Sequence, residues 1–101
     1  MAKVIKIKVT ESRLPVIFIR EDETIIAYTP ALDLSTSGRT VEEAKQHFEE
    51  AVDIFFRECT ERGTLEEVLL SLGWKKSTTR PRTWQPPEII GHLDVPIPQF
   101  A

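Results

Sequence analysis

The chain opens with a strict alternation of aliphatic and charged residues. Between residues 4 and 9, aliphatic side chains alternate with Lys6 and Lys8. A period of two residues places the aliphatic side chains on one face of a β-strand and the lysines on the other. The pattern predicts a first, half-buried strand over residues 4–9.

Two further apolar segments follow at short intervals. Residues 14–22 and 24–30 are rich in aliphatic and aromatic side chains, and a polar turn at residues 21–23 joins them. This composition favours strands, and the short connection favours an antiparallel meander. Residues 31–39, which read ALDLSTSGR, are predicted to form a loop.

A long amphipathic helix is predicted from Thr40 to about Arg62. Thr40 and Glu43 have the T-x-x-E spacing of a capping box, in which the threonine hydroxyl accepts from the Glu43 amide and the glutamate accepts from the Thr40 amide. Gly63 suits the left-handed position that ends a helix. The residues that share the apolar face are Val41, Ala44, Phe48, Ala51, Val52, Phe55 and Cys59.

A second, shorter helix is predicted immediately afterwards. Thr64 and Glu67 repeat the T-x-x-E spacing, so a second capping box is expected to start a helix that runs to about Leu72. Trp74 follows the helix end and is expected in the core. The predicted order is therefore β-β-β-α-α, with each junction marked by residues of the expected type.

The composition changes after Trp74, where five of the seven prolines occur. Residues 74–77 could form a short strand. Residues 89–97 could form an extended segment at a sheet edge, because Pro96 cannot donate to a ladder. We predict one domain over residues 1–101, with a core at about 3–78 and a proline-rich extension at about 79–101.

The predicted fold class is α+β. We expect a three- to four-stranded, mainly antiparallel sheet with the long helix packed on it and a short second helix, in the order β-β-β-α-α-β. A chain of 101 residues fits one compact domain of this kind.

The charge and the cysteine count narrow the possible functions. A net charge of −3 argues against a dedicated nucleic-acid binder, and no apolar run is long enough to span a membrane. Cys59 is the only cysteine, so it forms no internal disulfide. These features favour a protein of the reducing cytoplasm.

The segment STSGR, residues 35–39, is a candidate phosphate-binding loop. A P-loop requires two spaced glycines and a lysine, whereas only Gly38 is present here. The start of the helix could still hold an anion with help from Arg39. The favoured interpretation is that Gly38 relaxes a turn and Thr40 caps the helix.

The polar side of the long helix carries the candidate binding residues. Glu43, His47 and Glu50 lie close together on the helical wheel and could bind a metal. A solvated charged face is the favoured alternative, because these residues lie away from the apolar stripe. Ile54 is on the same side and could contact another chain. Arg57 completes the predicted partner interface.

No catalytic constellation is recognised, so we expect no enzymatic activity, cofactor or metal. Cys59 lies on the apolar face and is expected to be a packed residue. Trp84 and the basic residues around it could touch nucleic acid. The favoured alternative is a solvated loop whose tryptophans pack on the domain.

Taken in order, these features resemble the HicB-type antitoxin family. The resemblance rests on Tyr28, Pro30 and Leu32 after the strand, on the S-G-x-T motif of residues 37–40, and on the E-E-A motif of residues 42–44 in the long helix. Residues 63–74 are similar to a longer-looped branch of the same family. The match covers roughly residues 16–74.

The resemblance implies a degenerate RNase H-like fold without catalytic carboxylates. It implies a prokaryotic type II antitoxin that binds and neutralises a small basic mRNA-cleaving toxin of the HicA type, and that forms a homo-oligomer, either a dimer or a tetramer. No direct DNA binding is expected, because no DNA-binding domain follows Trp74. Two alternatives stay open, namely an orphan oligomeric relative without a toxin partner and a metal-dependent nuclease.

Overall fold

The protein is described by a computed structural model over residues 13–77 and 83–99. Within these ranges the chain forms a three-stranded sheet, two helices and a separate two-stranded ribbon. In chain order the elements are β1 (Ile17–Glu21), β2 (Thr24–Thr29), β3 (Leu34–Gly38), α1 (Val41–Arg62), α2 (Leu65–Ser71), β4 (Lys75–Lys76) and β5 (Trp84–Gln85). The α+β class is confirmed, while the strand predicted over residues 4–9 lies outside the described residues.

The three-stranded sheet is an antiparallel meander in the order β1-β2-β3. Glu21 pairs with Thr24, so the first turn contains only two residues. The first of them, Asp22, has φ 56°, the positive value that tight hairpin turns require at this position. The second turn, between Thr29 and Leu34, ends at Asp33, which also has a positive φ of 51°.

Strand β3 corrects the prediction of a loop over residues 31–39. Its serine, threonine and glycine residues gave no apolar alternation, so the sequence pattern pointed to a turn region. The strand forms because it pairs along its whole length with β2 and because its alternate side chains lie under α1. Thr36 shows this directly, since its hydroxyl donates to the carbonyl of Ala44 at 3.0 Å.

The two sides of the sheet differ sharply in burial. On the helix-covered side of β2, Ile25, Ala27 and Thr29 are all buried. The opposite side, which we call the outer sheet face, consists of apolar residues on β1 and β2 that α1 does not cover. Its members are Ile17, Ile19, Ile26 and Tyr28.

Helix α1 packs on β2 and β3 through Ala44 and Phe48, which form one buried cluster with Ile25 and Ala27. The approach of helix to strand is close at Gly38, where an added Cβ would lie only 2.6 Å from the Ala44 nitrogen. The prediction that Val41 shares the buried face is wrong. Val41 is exposed because it is the first residue of the helix and lies beyond the cluster, which begins at Ala44.

The start of α1 is capped as predicted by the Thr40 side chain. Its hydroxyl accepts from the Glu43 amide at 3.0 Å. The return contact differs from the prediction, because Glu43 Oε1 accepts from the Arg39 amide at 2.6 Å rather than from the Thr40 amide. The glutamate thus satisfies a backbone donor one residue earlier in the chain.

The second predicted capping box, Thr64 with Glu67, does not form. Thr64 makes no side-chain bond to the amides of α2, although it precedes that helix directly. The reason is that Thr64 completes the end of α1: its amide donates to the Cys59 carbonyl at 2.9 Å, while the amide of Gly63 donates to Thr60. This pair of bonds is a Schellman motif, with Gly63 in the left-handed conformation.

A second buried cluster joins α2 to the turn after β2. It contains Ala31, Leu32, Leu69 and Trp74. The Trp74 indole donates to the Ala31 carbonyl at 2.7 Å, so its polar group is satisfied while the ring is buried. The prediction that Trp74 belongs to the core is confirmed.

Strands β4 and β5 form a short antiparallel ribbon in which Lys76 pairs with Trp84. The Trp84 ring is half-buried against the second cluster, and Lys76 Nζ lies 5.6 Å from its centroid. The short strand predicted near residues 74–77 is therefore present. Its partner β5 belongs to the segment that the sequence pattern assigned to the proline-rich extension.

The chain forms no helix or strand between residues 86 and 99. The prediction of a sheet-edge segment over residues 89–97 is therefore not met within one chain. Residues 87–99 are all exposed, and none of them belongs to a strand. Pro96 and Pro98 also remove two of the amide donors that a ladder would use.

Candidate partner-binding surface

The candidate surface is the side of α1 that points away from the sheet. It forms a shallow groove, which we call the acidic groove, and its lining includes most of the charged residues of the helix centre. The lining residues are Gln46, Glu49, Glu50, Asp53, Ile54 and Arg57. The helix places them together because residues three and four apart are neighbours on its surface.

The charges of the acidic groove are unbalanced. Glu49, Glu50 and Asp53 are three carboxylates, whereas Arg57 is the only cation in the lining. Arg57 donates to Asp53, and both side chains are more than half exposed. An exposed pair of this i,i+4 type contributes only about 0.3–0.5 kcal/mol, so it is readily exchanged for contacts with another molecule.

Ile54 is the apolar residue of the groove. Its side chain is exposed although it is large and aliphatic. A single exposed isoleucine is ordinary on a protein surface. Surrounded by carboxylates, however, it gives the groove both an apolar contact and a charged rim, which is the arrangement found in protein interfaces.

The structure brings together three of the five residues predicted for the interface: Glu50, Ile54 and Arg57. Glu43 lies in an adjoining depression with Thr40, and its carboxylate is already bonded to a backbone amide. His47 is also engaged, since its Nδ1 donates to a backbone carbonyl of β3, that of Ser37, at 2.7 Å.

The sequence prediction omitted two carboxylates of the groove, Glu49 and Asp53. The spacing of Asp53 and Arg57 was a usable signal, because opposite charges four residues apart on a helix form pairs. Glu49 has a similar signal, because it lies three residues after Gln46 and four before Asp53.

The metal-binding alternative at Glu43, His47 and Glu50 finds no support in the geometry. Two of the three side chains already have backbone partners. Across residues 13–77 and 83–99, no group of three or more His, Cys, Asp or Glu side chains could hold a metal ion. Cys59 is half-buried on α1, as a packed residue would be.

The hydroxyl of Tyr28 forms a polar contact between the outer sheet face and the turn after β2. It donates to Asp33 Oδ1 at 3.2 Å. Partial burial raises the pKa of the Tyr28 hydroxyl above its ordinary value of 10.0, and the hydrogen bond and the negative charge of Asp33 raise it further. Tyr28 is therefore a neutral donor that holds the turn after β2, and it is no acid or base near neutral pH.

The alternative of nucleic-acid contact around Trp84 is disfavoured by the packing. Stacking on bases needs an open aromatic face. Trp84 instead packs on the second cluster and lies beneath Lys76. Arg80 and Arg82, the other basic residues considered there, lie outside the described part of the chain.

Comparison with protein-family models, curated proteins and solved structures finds no match for this chain. None of the helices among the described residues has the length and apolar character needed to cross a bilayer.

Proposed function

We propose that the chain is a HicB-like antitoxin that binds and neutralises a small basic mRNA-cleaving toxin of the HicA type. It would act without catalysis, by covering the RNA-binding surface or the catalytic histidine of the toxin. The observation that carries the proposal is the acidic groove of α1, a helix that the S-G-x-T and E-E-A motifs open.

The acidic groove suits a basic partner for electrostatic reasons. A toxin that binds mRNA must present a positively charged surface to phosphates. Carboxylates at Glu49, Glu50 and Asp53 would attract the same surface and speed the encounter. Ile54 would supply the apolar contact that a purely charged surface lacks.

The location follows from the same proposal. An antitoxin has to meet its toxin where mRNA is translated, so we propose a cytoplasmic protein. The single half-buried cysteine is compatible with that compartment.

The proposal is tested by a matched pair of charge reversals. Glu50→Lys changes the acidic groove, while Glu23→Lys makes the same change of charge at the exposed turn between β1 and β2. Binding of a HicA-like toxin encoded next to this chain is measured by titration calorimetry. We expect Glu50→Lys to weaken binding by about tenfold or more, and Glu23→Lys to change it by less than about twofold.

Two outcomes would count against the toxin proposal. One is the absence of binding between the unmodified chain and the neighbouring basic protein at low salt. The other is an equal loss for both substitutions, since this would mean that total charge, and not the acidic groove, controls the affinity.

Self-association is a second candidate function, favoured by a separate observation. All five residues of β1 are exposed, including Ile17, Phe18 and Ile19, and within the described residues β1 pairs only with β2. Open apolar strand edges are templates for pairing with another chain. A homo-oligomer, either a dimer or a tetramer, would cover this strand with or without a toxin.

A further inference from the structure

Two of the described segments leave large apolar side chains exposed. In β1, the exposed fractions of Ile17, Phe18 and Ile19 are 41%, 43% and 43%. In residues 88–98, which we call the C-terminal arm, the exposure is greater still. The fractions are 92% for Ile90, 81% for Leu93, 69% for Val95 and 88% for Ile97.

The composition of β1 is that of a strand covered on both faces. Residues 16–19 read VIFI, a continuous apolar run, and such runs are typical of strands buried on both sides. Within the described residues, α1 lies mainly over β2 and β3, and all five residues of β1 stay exposed. Among residues 13–77 and 83–99, β1 pairs with β2 along one edge and has no neighbour along the other.

The direction of the free backbone groups of β1 follows from its turn. Glu21 and Thr24 flank a two-residue turn, so they form a hydrogen-bonded pair. Bonding residues alternate along an antiparallel ladder, which directs the odd-numbered residues of β1 toward β2. The amides and carbonyls of Phe18 and Arg20 consequently face the open edge.

The C-terminal arm has the chemistry of a strand that can pair along one edge only. In an extended conformation, Leu93, Val95 and Ile97 share one face, and their amides share one edge. The opposite edge contains Pro96 and Pro98, which have no amide hydrogen. Such a strand can pair with the edge of a sheet, and its proline-containing edge then prevents another strand from pairing beyond it.

We propose that two copies of the chain exchange their C-terminal arms, so that each arm pairs with the open edge of β1 in the other copy. The proposal deepens the self-association candidate and rests on it, and it is independent of toxin binding. Each sheet would gain a fourth strand, formed by residues 93–97 of the partner.

The chain geometry favours a second copy as the occupant. Residues 86–99 can span roughly 45 Å when extended, which is enough to reach across a two-fold interface. Because the contact is made twice in a symmetric dimer, the buried area is doubled. The edge blocked by Pro96 and Pro98 would stop further strand addition, so the assembly would close at two chains.

The test compares two proline substitutions at adjacent positions in the full chain. Val95→Pro removes an amide hydrogen from the pairing edge, whereas Asp94→Pro removes one from the edge that already lacks two donors. Mass is measured by light scattering during size-exclusion chromatography. We expect the unmodified chain and Asp94→Pro to have about twice the 11.6 kDa of one chain.

We expect Val95→Pro to weaken dimerisation by about tenfold or more, because a ladder bond is lost on each side of the dimer. Amide hydrogen exchange provides a second measurement. The amides of Phe18 and Arg20 should be protected in the unmodified chain and should exchange faster in Val95→Pro. Leu70→Asp, which alters an exposed leucine on α2, should leave both measurements unchanged.

The possible outcomes distinguish exchange of the C-terminal arms from self-association through another contact. A mass that stays at 11.6 kDa at high micromolar concentration would overturn both the arm exchange and self-association. A dimer that is equally stable in Val95→Pro and Asp94→Pro would keep self-association and overturn the arm exchange. Protection of Phe18 and Arg20 that persists in Val95→Pro would also overturn it, since another segment would then cover that edge.

Discussion

The two sides of the sheet differ in how far their apolar side chains are buried. On the side under α1, Ile25, Ala27 and Phe48 are buried and belong to one cluster. On the outer sheet face, Ile17 and Ile19 are as apolar as the core residues but remain exposed. Hydrophobicity alone therefore does not decide burial here; the presence of a covering helix does.

This difference separates residues that maintain the fold from residues that are available for partners. The covered side should respond strongly to small changes in shape. The outer sheet face, the open edge of β1 and the acidic groove should tolerate substitutions without loss of the fold. Substitutions on the covered side should therefore lower stability more than substitutions on the exposed surfaces.

The largest effect is expected at Phe48, which is buried between α1 and β2. Phe48→Ala should lower the free energy of unfolding by about 3–5 kcal/mol, because it leaves a cavity in the core. Ile19→Ala on the outer sheet face should lower it by less than about 1 kcal/mol, since that side chain is already partly solvated. Urea denaturation measures both values.

The comparison of Phe48 with Ile19 is made in chains that also contain Val95→Pro, so that association contributes less to the measured stability. Equal losses at the two positions would contradict the division between the two sides, because they would show that the outer sheet face is packed as tightly as the core.

A smaller effect is expected where α1 approaches the sheet most closely. An added Cβ at Gly38 would lie 2.6 Å from the Ala44 nitrogen, so Gly38→Val must push the helix away. We expect a loss of about 1–3 kcal/mol from such overpacking. Thermal or urea unfolding measures it.

The matched control is Ser37→Ala, one residue away on the exposed side of the same strand. It keeps the backbone carbonyl that binds His47, and its stability should change by less than about 0.5 kcal/mol. If Gly38→Val were equally harmless, the helix would not be fixed against β3 at this point.

The next prediction compares the two threonines that precede the helices. Thr40→Ala removes the hydroxyl that accepts from Glu43 and should destabilise the protein by about 1 kcal/mol. Thr64→Ala should cost less than about 0.5 kcal/mol, because the Thr64 hydroxyl makes only a long 3.5 Å contact with Cys59. A reversed order in the two unfolding free energies would contradict the capping assignment.

The smallest effect concerns Tyr28 on the outer sheet face. Tyr28 is the only tyrosine, so its ionisation is followed by absorbance without interference from another phenol. Its pKa should exceed 10.0, and Asp33→Asn should lower it toward that value, because the substitution removes a negative charge. A pKa at or below 10.0 in the unmodified chain would contradict the contact between the two side chains.

The raised pKa of Tyr28 also has a consequence for stability. The unfolded chain loses this proton at lower pH than the folded chain, so the stabilisation is full below pH 10 and declines as the pH rises above it. Tyr28→Phe should remove that part of the decline in unfolding experiments at alkaline pH.

Much of the fold follows from sequence patterns with a clear physical period. The apolar composition of residues 24–30 predicts β2, and the apolar stripe after Thr40 predicts α1, each with nearly the observed bounds. Gly63 was recognised because a left-handed residue at a helix end is strongly selective for glycine. Each of these signals depends on residues that are close together in the sequence, so each can be interpreted from the sequence alone.

The sequence predictions are wrong where contact with a neighbouring element determines the local structure. Strand β3 has polar side chains and forms because β2 and α1 lie beside it, which no short window shows. Thr64 and Glu67 have the spacing of a capping box, but the Thr64 amide donates to the Cys59 carbonyl at the end of α1. Likewise, the spacing of Glu49 and Asp53 puts them on one side of α1, but no motif marks that side as a groove.

The most direct test of the proposed antitoxin function is the salt dependence of binding to the neighbouring HicA-like protein. The dissociation constant is measured by calorimetry at low and at physiological ionic strength. We predict a complex that weakens by about tenfold over this range, because the contacts of the acidic groove are exposed and are screened by salt. The absence of a complex at low salt, or an affinity that does not change with salt, would contradict the proposal.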